Sequence, residues 1–200
     1  MNLTLKYYLN IYLPLALLLA GGVLVCGEPA NTGAAVLRSS SCLSKPVWKT
    51  TAPLPWQGLN REVREKKTWD LARELAKTNG LDAALIMAVV RVESNFRPWA
   101  VSKRGAMGLM QINRVTAEHL GLATPLDPKA NLTAGVRYLA QLMARFDYDL
   151  RLALAAYNAG PTRVGELGSV PKIEETRQFV DRVLKARDHF RVKYQALASK

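Results

Sequence analysis

The chain has 200 residues, 49% hydrophobic, 8% aromatic and 22% charged, which is too apolar for a disordered segment and long enough to bury one sizeable core. Two cysteines and two histidines exclude a disulfide-stapled miniprotein and four-ligand zinc modules, and leave little for a His-built metal site or a Ser-His-Asp hydrolase. A net charge of +12 calls for an anionic partner: nucleic acid, anionic lipid or an acidic polymer.

Taken in chain order, residues 7–27 carry no charged side chain, and the apolar part, residues 9–25, is broken by Asn10, Pro14 and the Gly21-Gly22 pair. This reads as an export segment, either a cleaved signal peptide or a retained membrane anchor, with Lys6 on the cytoplasmic side. A buried core helix is the competing reading of so apolar a terminus. Export places the remainder in the periplasm or cell envelope, and an uncleaved segment would hold it to the inner membrane. It also turns the positive charge away from chromosomal DNA, so no nucleic-acid partner is expected. Cys26 closes the apolar stretch; loss with the signal, lipidation, and a bridge to Cys42 all stay open.

Residues 28–60 form a linker with Pro29, Pro46, Pro53, Pro55 and the Ser39–Ser41 run, although Trp48 and Trp56 are unusual in one. From Arg61 the pattern turns helical, so that residues 61–200 make an all-α domain. Arg61–Thr78 places Val63, Trp69, Leu71, Ala72, Leu75 and Ala76 among charges and stops at Asn79-Gly80. Asp82 caps a helix from Ala83 to about Glu93, and Asp127-Pro128 opens another that runs towards Phe146. Leu150–Ala159 is short, nearly all apolar, and ended by Gly160-Pro161. Pro171 opens a last helix whose buried face is Ile173, Phe179, Val180, Val183 and Leu184. No strand pattern of any length is present.

Three segments carry chemistry. Residues 83–90 are uninterrupted apolar, and Ile86, Val90 and Glu93 share one helical face. A carboxyl at the end of such a stripe is desolvated and holds its proton, as a general acid must; a Glu paired with Arg91 or Arg97 at an ordinary helix end is the plain alternative. The run Arg104–Ile112 packs two glycines and Gln111 among small apolar residues, either a groove lining or a packed connection. In Ala155–Pro161, Tyr157 and Asn158 emerge from a Leu/Ala helix, as ligand contacts or as a core Tyr beside a cap.

Glu93-Ser94-Asn95-Phe96, then Gly105–Ile112, then Ala156–Pro161 together resemble the motif set of the soluble-type lytic transglycosylases, family 1. The resemblance covers roughly residues 68–184. It implies a lysozyme-like fold, peptidoglycan as substrate and no metal or organic cofactor. It also implies cleavage between N-acetylmuramic acid and N-acetylglucosamine with a 1,6-anhydro product. Glu93 would serve as acid and then base. Ser94 would orient the Glu or the substrate, Gln111 and the Met110 backbone would line sugar subsites, and Tyr157 and Asn158 would position the sugar at the cut. One position departs: where the family carries a Tyr before a Val in its last helix, this chain has Phe179. Service to a secretion, conjugation or phage machine is a further family-level implication. Three rivals stand beside this reading. A hydrolase like the goose-type lysozymes would need a second carboxylate, with Glu118 and Asp127 as candidates. A noncatalytic wall-binding part of a secretion machine and a basic nucleic-acid-binding helical protein are the others.

Overall fold

The computed structural model describes residues 55–198, so the export segment, both cysteines, Trp48 and linker residues 28–54 lie outside the described residues. Seven helices are present among the described residues: α1 (Arg61–Asn79), α2 (Ala83–Ser94), α3 (Arg114–Leu120), α4 (Pro128–Arg145), α5 (Leu150–Ala159), α6 (Pro161–Leu167) and α7 (Glu174–Ala198). No strand is present there; two isolated bridges, Val101 with Met107 and Met107 with Ile112, pin the segment between α2 and α3.

Helix starts follow directly from short polar side chains. Asn60, Asp82, Asn113, Asp127 and Asp149 each accept a hydrogen bond from a backbone N–H of the first turn that follows. Each such cap is worth about 1 kcal/mol. Gly80 at φ +64° and Gly121 at φ +67° end α1 and α3 in the left-handed conformation that only glycine adopts without steric cost.

α2 is the axis of the domain. Seven consecutive residues, Ala84–Val90, are buried. Such a helix needs neighbours all round: α7 covers it along its most extensive interface, α1 lies on another side, and α5 packs against α4, α6 and α7. Burying Ile86, Met87, Val89 and Val90 contributes roughly 1.5–3 kcal/mol per large side chain. Trp56, left ambiguous in the linker, packs on this core.

Three expectations change. α3 and α6 have seven residues each and were hidden, because two turns are too short for a helical period to declare itself. Pro161 ends α5 but also occupies the first turn of α6, where its missing N–H costs nothing. The last helix begins at Glu174, not Pro171. Pro171 is buried ahead of it, and Ile173 is only half-buried, its carbonyl accepting from the Arg177 N–H at 3.0 Å.

Candidate active site

Glu93 sits in the last turn of α2, one turn beyond the fully buried Val90. It is half-buried. Among the described residues no group donates a hydrogen bond to its carboxyl or forms an ion pair with it, yet no buried side-chain oxygen there lacks a partner. Its oxygens therefore reach the open side of the helix end. Burial pushes its pKa from 4.5 to about 8; Arg182 pulls in the opposite direction and Glu175 adds to the rise. Both of those charges belong to α7.

Tyr157 arrives from α5. Its hydroxyl donates to the Met110 carbonyl at 2.7 Å, and its ring lies parallel to Phe179 with centroids 6.4 Å apart. Burial raises the phenol pKa well above its ordinary value, and the Glu93 charge raises it further, which places the two side chains in each other's field. Tyr157 thus stays a neutral donor. Phe179 is buried and offers Glu93 no hydroxyl. Asn158, the next residue, accepts from the Thr176 hydroxyl at 2.8 Å through Oδ1, which leaves its amide nitrogen to donate.

The third segment is the turn at Gly108–Gln111, which meets Tyr157 at the Met110 carbonyl. Gln111 has φ +47°, and its side-chain nitrogen donates to the carbonyls of Ala100 and Gly108, both at 3.0 Å. Its Oε1 takes no hydrogen bond from the described residues and remains an acceptor. This strained turn is held from below by Asn131 on α4, which is fully buried. Asn131 accepts from the Met110 N–H at 2.8 Å and donates to the carbonyls of Met107 and Pro125 at 2.9 and 2.8 Å. The fit is close: a Cβ on Gly108 would lie 2.2 Å from the Asn131 amide nitrogen, and one on Gly135 would lie 2.4 Å from the Met110 sulfur.

The expected residues therefore divide. Glu93 and Tyr157 are brought together, and Met110 joins them through its carbonyl, its side chain being fully buried. Asn158 follows on the same helix end and Gln111 on the same turn as Met110. Ser94 is 1% exposed and its hydroxyl donates to the Val90 carbonyl at 3.1 Å, so it supports the end of α2 next to Glu93. Glu118 is in an exposed ion pair with Arg114 at 2.9 Å and Asp127 caps α4; the carboxylate whose charge adds to the rise at Glu93 is Glu175. Glu175, Arg182, Thr176 and Asn131 were missed. Asn131 alone had a readable signal, since it stands at i relative to Gly135 and Leu139 on the apolar stripe of α4, where a polar residue needs a partner. A cavity of about 470 Å³ lined by Leu122, Thr124, Asp127, Lys129, Thr133 and Arg137 shares only Asp127 with these side chains.

The Transglycosylase SLT domain model matches residues 70–180, more than half of the chain. The chain belongs to this family. All three motif segments and Phe179 lie inside the matched span of the SLT domain. Among curated relatives, it is 43% identical over 108 residues to membrane-bound lytic murein transglycosylase F of Desulfosudis oleivorans, covering 51% of this chain and 24% of that protein. Among solved structures, an inactive mutant of lytic transglycosylase Slt from Pseudomonas aeruginosa aligns at TM-score 0.57 with 32% identity, over 64% of this chain and 24% of that one. The 70-kDa soluble lytic transglycosylase from Escherichia coli aligns at TM-score 0.57 with 30% identity, over 62% and 24%. The SLT chain spans less than a quarter of the length of the curated relatives it matches. Its fold is the all-α, lysozyme-like one expected from the motifs.

Proposed function

We propose that the chain is a peptidoglycan lytic transglycosylase of the cell envelope. It cleaves the β-1,4 bond between N-acetylmuramic acid and N-acetylglucosamine and leaves a 1,6-anhydro end. The observation that carries this reading is the Glu93 carboxyl: half-buried, without an ion-pair partner among the described residues, raised to about 8 by burial, and close enough for its charge to act on Tyr157.

With that pKa, roughly nine-tenths of the molecules hold the Glu93 proton at pH 7. The proton passes to the bridging oxygen as the bond to C1 breaks, and the leaving sugar departs as an alcohol. The remaining carboxylate is poorly solvated and therefore a strong base. It removes the proton of the muramoyl C6 hydroxyl as that oxygen bonds to C1. Glu93 is thereby re-protonated and no water is consumed. A single group can do both steps because its pKa lies near the working pH. The ring closes within one sugar, so proximity replaces a bound water molecule. The Asn158 amide supplies a donor and Gln111 Oε1 an acceptor for sugar hydroxyl and N-acetyl groups; the Tyr157 hydroxyl, whose one proton goes to the Met110 carbonyl, can add only an acceptor, and Ser94 braces the end of α2.

The envelope location rests on the export segment together with the murein substrate; among the described residues no helix is long and apolar enough to cross a membrane. Incubating the full chain with purified sacculi and weighing the products tests the reading. Anhydro ends, one water lighter than reducing ends, are the expected result. Reducing ends would assign a hydrolase, with Glu175 as the carboxylate to examine.

A further inference from the structure

A second charged group lies beside the turn that follows Glu93. Arg64 on α1 donates from Nε to the Phe96 carbonyl at 2.9 Å and from Nη1 to the Leu59 carbonyl, and its guanidinium lies 4.9 Å from the centre of the Trp99 ring. Arg97 donates from Nε to the Ser94 carbonyl at 2.9 Å, which leaves both of its terminal nitrogens for another partner. Arg61 lies over the Phe96 ring at 5.7 Å. Of the three, Arg61 alone has a carboxylate, Glu65 at 3.6 Å, and Lys193 also claims that group. Among the described residues Arg64 and Arg97 have no carboxylate within ion-pair distance. Burial, then the charges of Arg97 and Arg61, depress the proton affinity of the Arg64 guanidinium.

Uncompensated cations held in one place by backbone carbonyls form a preorganised anion site, and a guanidinium fork matches a carboxylate with two parallel hydrogen bonds. The position is informative as well. Trp99 is followed by Ala100, whose carbonyl accepts from the Gln111 side chain and the Gly108 N–H. The cluster thus borders the same turn that carries Met110 and Gln111. We propose that Arg64, Arg97 and Trp99 form a flanking subsite for a carboxylate of the peptide carried by the glycan strand, an inference that rests on peptidoglycan being the substrate. Arg97 is exposed and makes the forked contact. Arg64, half-buried on Trp99, contributes its field and holds the turn in place.

The test compares peptide-bearing glycan with the same glycan stripped of its peptides by an amidase, using the full chain. Stripping is expected to lower wild-type kcat/KM about tenfold, mainly through KM, the scale of one charge-assisted contact. Arg97→Gln should lose the same factor on peptide-bearing strands and nothing on stripped ones; the stripped substrate doubles as the check on folding. Arg97→Lys should recover part of the loss. Equal losses on both substrates, or no loss on either, would overturn the subsite. Co-sedimentation with both glycans is followed in parallel. No peptide preference in binding overturns the subsite, whereas an intact preference without cleavage overturns the proposed activity instead. If Arg97→Gln releases the chain from phosphatidylglycerol vesicles and leaves the glycan preference unchanged, the cluster serves a lipid surface and the carboxylate assignment fails.

Discussion

Two carboxyl groups in this domain have opposite surroundings. Glu65, on α1 where it meets α7, is 6% exposed and sits between Lys193 and Arg61, with the Tyr194 hydroxyl donating to it at 3.4 Å. Trp69 stacks on Tyr194 at the same seam, with the rings 3.6 Å apart. Glu93, at the other meeting of α7 with the core, is more exposed yet has no cation in contact. The first is a charge compensated by its neighbours, and it joins two helices. The second is an acid left uncompensated, and it holds a proton. Burial alone therefore does not mark a reactive group; burial without a partner does.

Glu93→Gln breaks the comparison most sharply. It should lower glycan cleavage by at least about 10³-fold, the upper part of what one proton-transferring group supplies, while the chain still binds sacculi in a co-sedimentation assay. The same variant sharpens the point through stability. Folding raises this pKa from 4.5 to about 8, so the folded chain keeps a proton that the unfolded chain has released between those values. The penalty is absent below about pH 4.5 and grows as pH climbs to 8. The melting temperature of Glu93→Gln should thus exceed that of the wild type by a margin that widens over this window.

Next in size is Asn131→Ala. It strands a buried N–H and two carbonyls under the Met110 turn, and we expect a loss of about 3 kcal/mol in urea unfolding. Glu65→Gln should cost about 2 kcal/mol in the same assay, less than a fully buried pair because both of its cations remain half exposed. Its cleavage rate per folded molecule should not change, the reverse of Glu93→Gln. Smallest is Arg104→Ala. This residue meets Glu175 at 3.7 Å with both side chains well exposed, so a loss under about 0.5 kcal/mol by thermal melting is expected.

The contrast also shows what a linear reading can reach. The apolar run of α2, its Asp82 cap and the carboxyl at the end of its stripe are local features, and all three stand where the sequence placed them. Gln111 and Tyr157 were legible as polar residues in apolar company. Glu175 and Arg182 were not, because the field they exert on Glu93 comes from packing α7 against α2, a contact between residues more than 80 positions apart. Whether Ser94 would touch the sugar or brace Glu93 was not legible, because adjacency in the chain turns its side chain about 100° around the helix from Glu93, into the core. Asn131 supports Met110 across 21 residues, and only its place on the apolar stripe of α4 hinted at that.

The central claim concerns the proton on Glu93, and ¹³C NMR titration of the glutamate side-chain carboxyls, assigned by comparison with Glu93→Gln, reads it directly. One carboxyl with a midpoint at about 8, missing from the variant spectrum, is expected. A Glu93 midpoint near the ordinary value of 4.5 would contradict it.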